Sequence, residues 1–149
     1  MRAVIQRVEE AWVKIGGETV GSIDKGALVY LGIHKDDEVS DADYVCEKIL
    51  SLRIFEDEAG KMNLSLRHVQ GKVLIVSQFT LYGNCRRGNR PSFSDAASPE
   101  KAQILYHRVV NRCKETGLII QTGDFRKMMR VYSVNAGPVT MLLDSRESS

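Results

Sequence analysis

No stretch of this chain approaches the roughly 20 consecutive apolar residues that a bilayer-spanning helix needs, so no such span is expected. Cysteine is scarce: Cys46, Cys85 and Cys113 are the full set. An odd count without paired spacing excludes a disulfide framework, and no C-x-x-C marks a metal site. There is no His-Glu-x-x-His and no close His/Cys pair, so no metal is expected. Walker and Rossmann glycine patterns are missing, as is the Gly-x-Ser-x-Gly elbow of a serine hydrolase. No cofactor is therefore expected. A surplus of one charge is lacking too: 21 basic residues face 19 acidic ones, a net charge of +2. That excludes a general basic coat for nucleic acid while leaving room for a local patch. Met1-Arg2-Ala3-Val4 enters a strand-like pattern at once, without signal-peptide architecture, and the expected location is cytoplasmic.

What is present reads as a single domain over 1–149 with a polar, flexible tail at 144–149. Met1–Glu9 and Ala11–Ile15 have the spacing of strands, and Gly16-Gly17 signals a hairpin into Thr19–Ile23. Ala27–Ile33 is a continuous apolar run, as in a strand buried on both faces. From Ser40 the period becomes helical through Ala42, Val45, Ile49 and Leu52, with Ser40 and Asp41 as caps. Short strands are predicted at Leu52–Phe55 and Met62–Leu66, around a polar turn at Glu56–Lys61. Val73–Leu81 is the strongest strand pattern. Ser98-Pro99-Glu100 then starts the clearest helix, which runs on Ala102, Leu105, Tyr106, Val109, Val110 and Cys113 and stops at Gly117. Leu118–Gln121, Arg130–Val134 and Val139–Leu143 are the closing strands. Two amphipathic helices cannot cover both faces of a large sheet. Sheets packed partly on each other, with helices on one side, fit better.

Two segments break these patterns. Asn135-Ala136-Gly137-Pro138-Val139-Thr140 sets Gly-Pro between two apolar runs, where proline cannot donate to a ladder. A tight turn is the plain reading. A rigid recognition element presenting bare backbone is the other, and the Gly-Pro bond can be cis. Ser77-Gln78-Phe79-Thr80 puts polar side chains at the end of a buried strand, a common place for a site. These groups either face solvent and neighbouring backbone or form a pocket. A nucleophilic Ser77 or Thr80 would need a base. His34, His68 and His107 fall in loops or on helix surfaces, so no triad partner is evident. The acidic runs Asp36-Asp37-Glu38 and Glu56-Asp57-Glu58 read as solvated turns. Arg86, Arg87 and Arg90 crowd a glycine-containing loop beside the polar strand end. They suit phosphate recognition or a solvated loop equally. Cys46 and Cys113 fall on the inner faces of the two predicted helices, as small hydrophobes.

Ser77-Gln78-Phe79-Thr80-Leu81 and Asn135-Ala136-Gly137-Pro138-Val139-Thr140 resemble the two signature motifs of the D-aminoacyl-tRNA deacylases. The likeness extends over nearly the whole chain, through Ile5-Gln6-Arg7-Val8, Gly32-Ile33, Arg53-Ile54-Phe55, Gly60-Lys61-Met62-Asn63, Arg90-Pro91-Ser92-Phe93 and Gln121-Thr122-Gly123. The resemblance implies an α/β fold of three β/β/α layers with two main helices. It implies a cytoplasmic homodimer, active at the subunit interface, that hydrolyses D-aminoacyl-tRNA and glycine mischarged on tRNA. It further implies a cis bond before Pro138, with Gly137 and Pro138 of one subunit rejecting L-amino acids in the pocket of the other. Arg7 would brace that motif, Asn135 and Thr140 would shape it, and Met129 would line the pocket. Ser77, Gln78, Phe79 and Thr80 would form the catalytic wall, with backbone N–H groups holding the oxyanion and the tRNA 2′-hydroxyl as activator. The chain departs from relatives at Arg126-Lys127-Met128, where small residues are common. Two rivals remain: a sister editing enzyme that removes L-alanine from tRNA, and a catalytically silent RNA-binding module using Arg86, Arg87 and Arg90.

Overall fold

In the computed structural model, which describes residues 1–147, the chain opens with one long strand, β1 (Arg2–Ile15). The sequence pattern predicts two strands there. Glu9 and Glu10 are both exposed, so the apolar alternation breaks while the backbone stays extended. The break coincides with a shift of register against the last strand between Val8 and Glu10. β2 (Glu18–Ile23) and β3 (Gly26–Gly32) follow, then α1 (Val39–Ser51). The cap of α1 is Glu38, in a reciprocal arrangement with Asp41, two residues earlier than Ser40. β4 (Phe55–Glu56) and β5 (Met62–Leu64) form a small separate sheet. A short helix absent from the sequence reading, α2 (Leu66–Val69), comes next, because Ser65 and His68 cap each other.

β6 (Lys72–Ser77) is shorter than the predicted 73–81 and gives way to a 3-10 helix over Phe79–Tyr82. α3 (Pro99–Lys114) starts as expected, with the Ser98 hydroxyl accepting from the Lys101 amide at 3.4 Å. After β7 (Ile120–Thr122), β8 (Arg130–Asp144) runs through both of the segments expected as separate closing strands.

The main sheet has the order β2-β1-β3-β6-β7, with β8 on the far edge of β1. Arg2–Val8 of β1 pair with β3 and Ala11–Ile15 pair with β2, so β1 links two halves of the sheet. β3 and β6 are parallel neighbours at the centre. Successive side chains of a strand point to opposite faces. Val29, Leu31, Val73 and Ile75 accordingly pack with Val45 and Ile49 of α1 and Leu105 and Val109 of α3. Leu28, Leu74 and Val76 turn the other way and meet Val8, Ala11, Val13 and Ile23. The centre of the sheet is thus buried on both faces, which is why β3 reads as an unbroken apolar run. The result is a three-layer β/β/α fold with α1 and α3 as its main helices.

Polar contacts fix the helix layer. The Tyr106 hydroxyl donates to the Ile75 carbonyl at 2.7 Å in the core, and Arg108 grips Asp43 of α1 through two bonds of 2.9 Å. Asp37, expected in a solvated turn, is buried: it pairs with the Met1 amino group at 2.7 Å and accepts from the His34 amide. Over Asp144–Ser145 the loose tail expected at 144–149 is replaced by specific bonds. Asp144 takes Arg2, the Ser145 amide donates to the Met1 carbonyl, and its hydroxyl donates to Asp41. Ser148 and Ser149 lie outside the described residues. No described helix is long and apolar enough to cross a membrane.

Candidate active site

Ser77 is the last residue of β6 and pairs with Leu31 of β3. The Gln78 amide extends the ladder by one bond, to the Leu31 carbonyl at 2.8 Å, and the chain then coils into the 3-10 helix. The polar segment is therefore a strand end plus the first turn of a helix. Gly32 makes room for that turn: a Cβ there would lie 2.9 Å from the Gln78 carbonyl oxygen and 3.0 Å from the Leu81 Cβ. The first N–H groups of a helix have no partner within it. Here the Phe79 and Thr80 amides find no acceptor among the described residues, and both residues are exposed. Two adjacent N–H groups without an acceptor can receive an oxyanion.

The Thr80 hydroxyl accepts a hydrogen bond from the Gln78 side-chain amide. An amide donor does not activate a nucleophile; a general base must accept the proton.

The far side of the turn is held by a residue that the sequence reading passed over. Arg2 donates from Nη1 to the Leu81 carbonyl at 3.1 Å and from Nε to Asp144 at 2.8 Å, and its guanidinium lies 4.6 Å from the centre of the Tyr82 ring. The hydrogen bond to Asp144 holds the Arg2 guanidinium firmly charged, above its ordinary value. The Tyr82 hydroxyl is buried without a partner among the described residues, and burial raises its pKa, so it stays protonated. A charged residue alternating with apolar ones at a strand start gave no hint of this role. Gly32 at a strand end was the available signal for the tight turn.

The second segment is a bulge inside β8. Asn135 pairs with Val8 and Thr140 with Gln6, so Ala136, Gly137, Pro138 and Val139 stand opposite Arg7 alone. The Gly137–Pro138 bond is cis, and Gly137 has φ +124°. The base of the bulge is laced by side chains. Asn135 Nδ2 and Gln6 Nε2 each donate to the Thr140 hydroxyl at 3.2 Å, while the Val139 amide donates to Asn135 Oδ1 at 3.3 Å. Arg7 fills the space below. Its Nε donates to the Ala136 carbonyl at 3.1 Å and its Nη1 to the Ile54 carbonyl at 2.9 Å. Gly137 and Pro138 are left exposed at the tip.

The structure does not bring the two segments together within one chain. Ser77 is level with Leu31 and hence with Ala3, whereas the bulge is level with Arg7. Four residues along the strands and three strand spacings across put them roughly 20 Å apart. Two surface grooves, one between α3 and the loop after β7 and one beside β2, contain neither segment.

The remaining predicted residues divide. Arg86, Arg87 and Arg90 are exposed on a loop whose neck is closed by reciprocal Asn84–Ser92 backbone bonds of 2.8 and 3.0 Å. No ion pair involves them among the described residues. The loop adjoins the 3-10 helix, because Phe93 stacks edge-on with Phe79 at 5.1 Å. Met129 packs half-buried on the second core, over Gly123. Arg126, Lys127 and Met128 point to solvent beside it.

Known proteins resemble this chain closely. A family model described as D-Tyr-tRNA(Tyr) deacylase matches residues 4–144. The D-aminoacyl-tRNA deacylase of Thermosipho africanus is 57% identical over 147 residues, 99% of each chain. That of Thermotoga petrophila is 57% identical over 145 residues, 97% of each. Among solved structures, one titled c-Myc DNA Unwinding Element Binding Protein superposes with a TM-score of 0.93 at 40% identity, covering 99% of this chain and 100% of the other. A probable eukaryotic D-amino acid tRNA deacylase shares the fold at a TM-score of 0.81 and 16% identity, covering 95% of this chain and 97% of its own.

Proposed function

This chain belongs to the D-Tyr-tRNA(Tyr) deacylase family and acts as a D-aminoacyl-tRNA deacylase, an ester hydrolase, and on that premise we propose how its two separated segments divide the chemistry. The ester carbonyl of the aminoacyl-adenosine end docks against Ser77–Thr80. Water attacks the carbonyl, and the developing oxyanion is received by the N–H groups of Phe79 and Thr80. Those two free donors are the observation that carries this reading. Thr80 serves as wall rather than nucleophile, since its hydroxyl faces an amide donor. Activation then falls to the 2′-hydroxyl of the substrate's own terminal ribose.

Selection of the D-ester falls to Gly137 and Pro138. They present backbone at the tip of a braced bulge, where a side chain on the wrong face of the α-carbon would collide. A collision with main chain rejects every L-amino acid, whatever its side chain. Glycine has no side chain of either hand, so Gly-tRNA passes the same filter and is cleaved. Within one chain the filter stands roughly 20 Å from the oxyanion donors, so it acts on the pocket of a second copy. The working unit is a homodimer with composite sites. Arg86, Arg87 and Arg90 engage the tRNA backbone near its 3′ end, next to the exposed aromatic pair Phe79–Phe93, which offers a stacking surface. A cytoplasmic location goes with these substrates.

Incubation with D-Tyr-tRNA, L-Tyr-tRNA and Gly-tRNA, reading released amino acid, tests the proposal. Release from the D- and glycyl esters with the L-ester intact is expected. Rapid L-ester cleavage would overturn the filter, and no turnover at all would leave an RNA-binding module. An acyl-enzyme trapped on Thr80 would overturn the water mechanism.

A further inference from the structure

Cys46 of α1 and Cys113 of α3 meet in the helix layer with their sulfurs 3.3 Å apart. They are 67 residues apart in sequence and both are buried. No other described residue requires two thiols here: the neighbours Val45, Ile49, Val109 and Val110 are apolar and would pack against aliphatic side chains equally well. The pair belongs to neither segment of the active site, and the inference from it is independent of any reading of that site. Cys85, by contrast, is exposed and has no thiol neighbour.

We propose that Cys46 and Cys113 are a modification site, a matched dithiol that a peroxide oxidises to a disulfide stapling α1 to α3. The sulfurs need to close by only about 1.3 Å to reach bonding distance, on two helices already fixed to each other by Asp43–Arg108. The electrostatics assign the order of events. The hydrogen bond shared with Cys113, with Arg112 and Arg67 nearby, lowers the Cys46 pKa. Cys113 keeps its proton, raised by the same bond and by burial. The thiolate, which is the reactive form, therefore appears first at Cys46.

In the first step the Cys46 sulfur attacks one peroxide oxygen. The O–O bond breaks, and the departing hydroxide takes up a proton as water, leaving a sulfenic acid. The Cys113 sulfur then attacks the Cys46 sulfur. The S–O bond breaks, and the hydroxide leaves with the Cys113 proton as a second water. Two thiols and one hydrogen peroxide give one disulfide and two waters; the sulfurs are oxidised and the peroxide oxygens reduced.

The experiment uses the full chain carrying Cys85→Ser, which silences the exposed thiol. After exposure to hydrogen peroxide and then denaturation, free thiols are counted and the intact mass is measured. Loss of both thiols, a mass lower by two hydrogens, and a Cys46–Cys113 linked peptide are expected. The thermal midpoint should rise by about 5–10 °C and return on treatment with dithiothreitol, since the staple closes a long loop. Cys113→Ser in the same background should show no rise. Two thiols still free after denaturation would overturn the proposal, as would oxidation of Cys46 that stops at added oxygen without a cross-link.

Discussion

Arg7 stands directly beneath Gly137: its Nη2 lies 2.7 Å from the point a Cβ on Gly137 would occupy, while its Nε holds the neighbouring Ala136 carbonyl. Gly137 also has φ +124°, which L side chains rarely adopt, and the same Cβ would lie 3.0 Å from Val139 Cγ2. Gly137→Ala must therefore strain the tip of the bulge or displace the Arg7 guanidinium that braces it. Hydrolysis of D-Tyr-tRNA is expected to fall by about 100-fold, since an ångström of misplacement costs about that much. Circular dichroism should show a folded protein, because the strand pairs on either side are unaffected.

Arg7→Lys keeps the charge and loses the fork. A single ammonium cannot reach both the Ala136 and Ile54 carbonyls in the geometry that the guanidinium spans. Leaving one partly buried carbonyl without its donor is expected to cost about 1–3 kcal/mol, read from the urea midpoint. In the deacylation assay the ratio of L- to D-ester cleavage should rise, because the bulge loses its floor.

Arg2 ties three elements at the other end of β1. Arg2→Ala frees the Leu81 carbonyl and uncovers the Tyr82 ring, so the turn bearing the Phe79 and Thr80 amides loosens. The expected signature is kcat lower by about tenfold with KM nearly unchanged, as for an interaction that matters in the transition state. Arg2→Lys should recover part of the loss. A change in KM alone would contradict the assignment.

The arginine loop makes a different prediction. Replacing Arg86, Arg87 and Arg90 together by Gln should raise KM and leave kcat. The salt dependence should change too: each lost phosphate contact flattens the log–log slope by about 0.7 on single-stranded RNA. An unchanged slope would remove the loop from the tRNA interface.

The helix layer has an acid-sensitive tie. The hydrogen bond from Arg108, with Arg112 close by, holds the Asp43 carboxyl below its ordinary value of 3.8. In the unfolded chain Asp43 binds its proton at higher pH than in the native state. Its contribution is thus fully present above about pH 4–5 and lost as pH falls through the lower native value. The difference in urea midpoint between the wild type and Asp43→Asn should be flat from pH 5 to 8 and shrink below pH 4. The pair is partly solvent-exposed, so the difference is small.

Periodicity made the main elements legible, because the two helices and the central strands bury one face or both. Residues such as Val45, Ile49, Leu105 and Val109 could be assigned to the core before any coordinates. Short-range chemistry was harder to read. The helix at Leu66–Val69 depends on a reciprocal cap between Ser65 and His68, not on an apolar stripe. The end of β6 at Ser77 depends on room made by Gly32, a contact distant in sequence. Asp37 looked solvated among acidic neighbours, yet its partner is the chain's own first residue. Gly137-Pro138 was conspicuous as a segment, but composition could not say that pairing resumes on both sides of it. That depends on Gln6 and Val8, far away in the chain.

The unbroken course of β8 through that bulge bears on how copies of this protein meet. Among the described residues β8 pairs with β1 alone, so its other side is a sheet edge, and Tyr132, Val134 and Leu142 are exposed along the strand. A straight edge of this kind invites another strand, then another, in a sheet without end. The four residues opposite Arg7 break the repeat of donors and acceptors midway, and Pro138 has no N–H to offer. What protrudes there is a knob rather than a template, and a knob is filled once. The feature proposed above as a filter therefore also limits growth: an edge interrupted in this way works against a fibre that adds copy after copy.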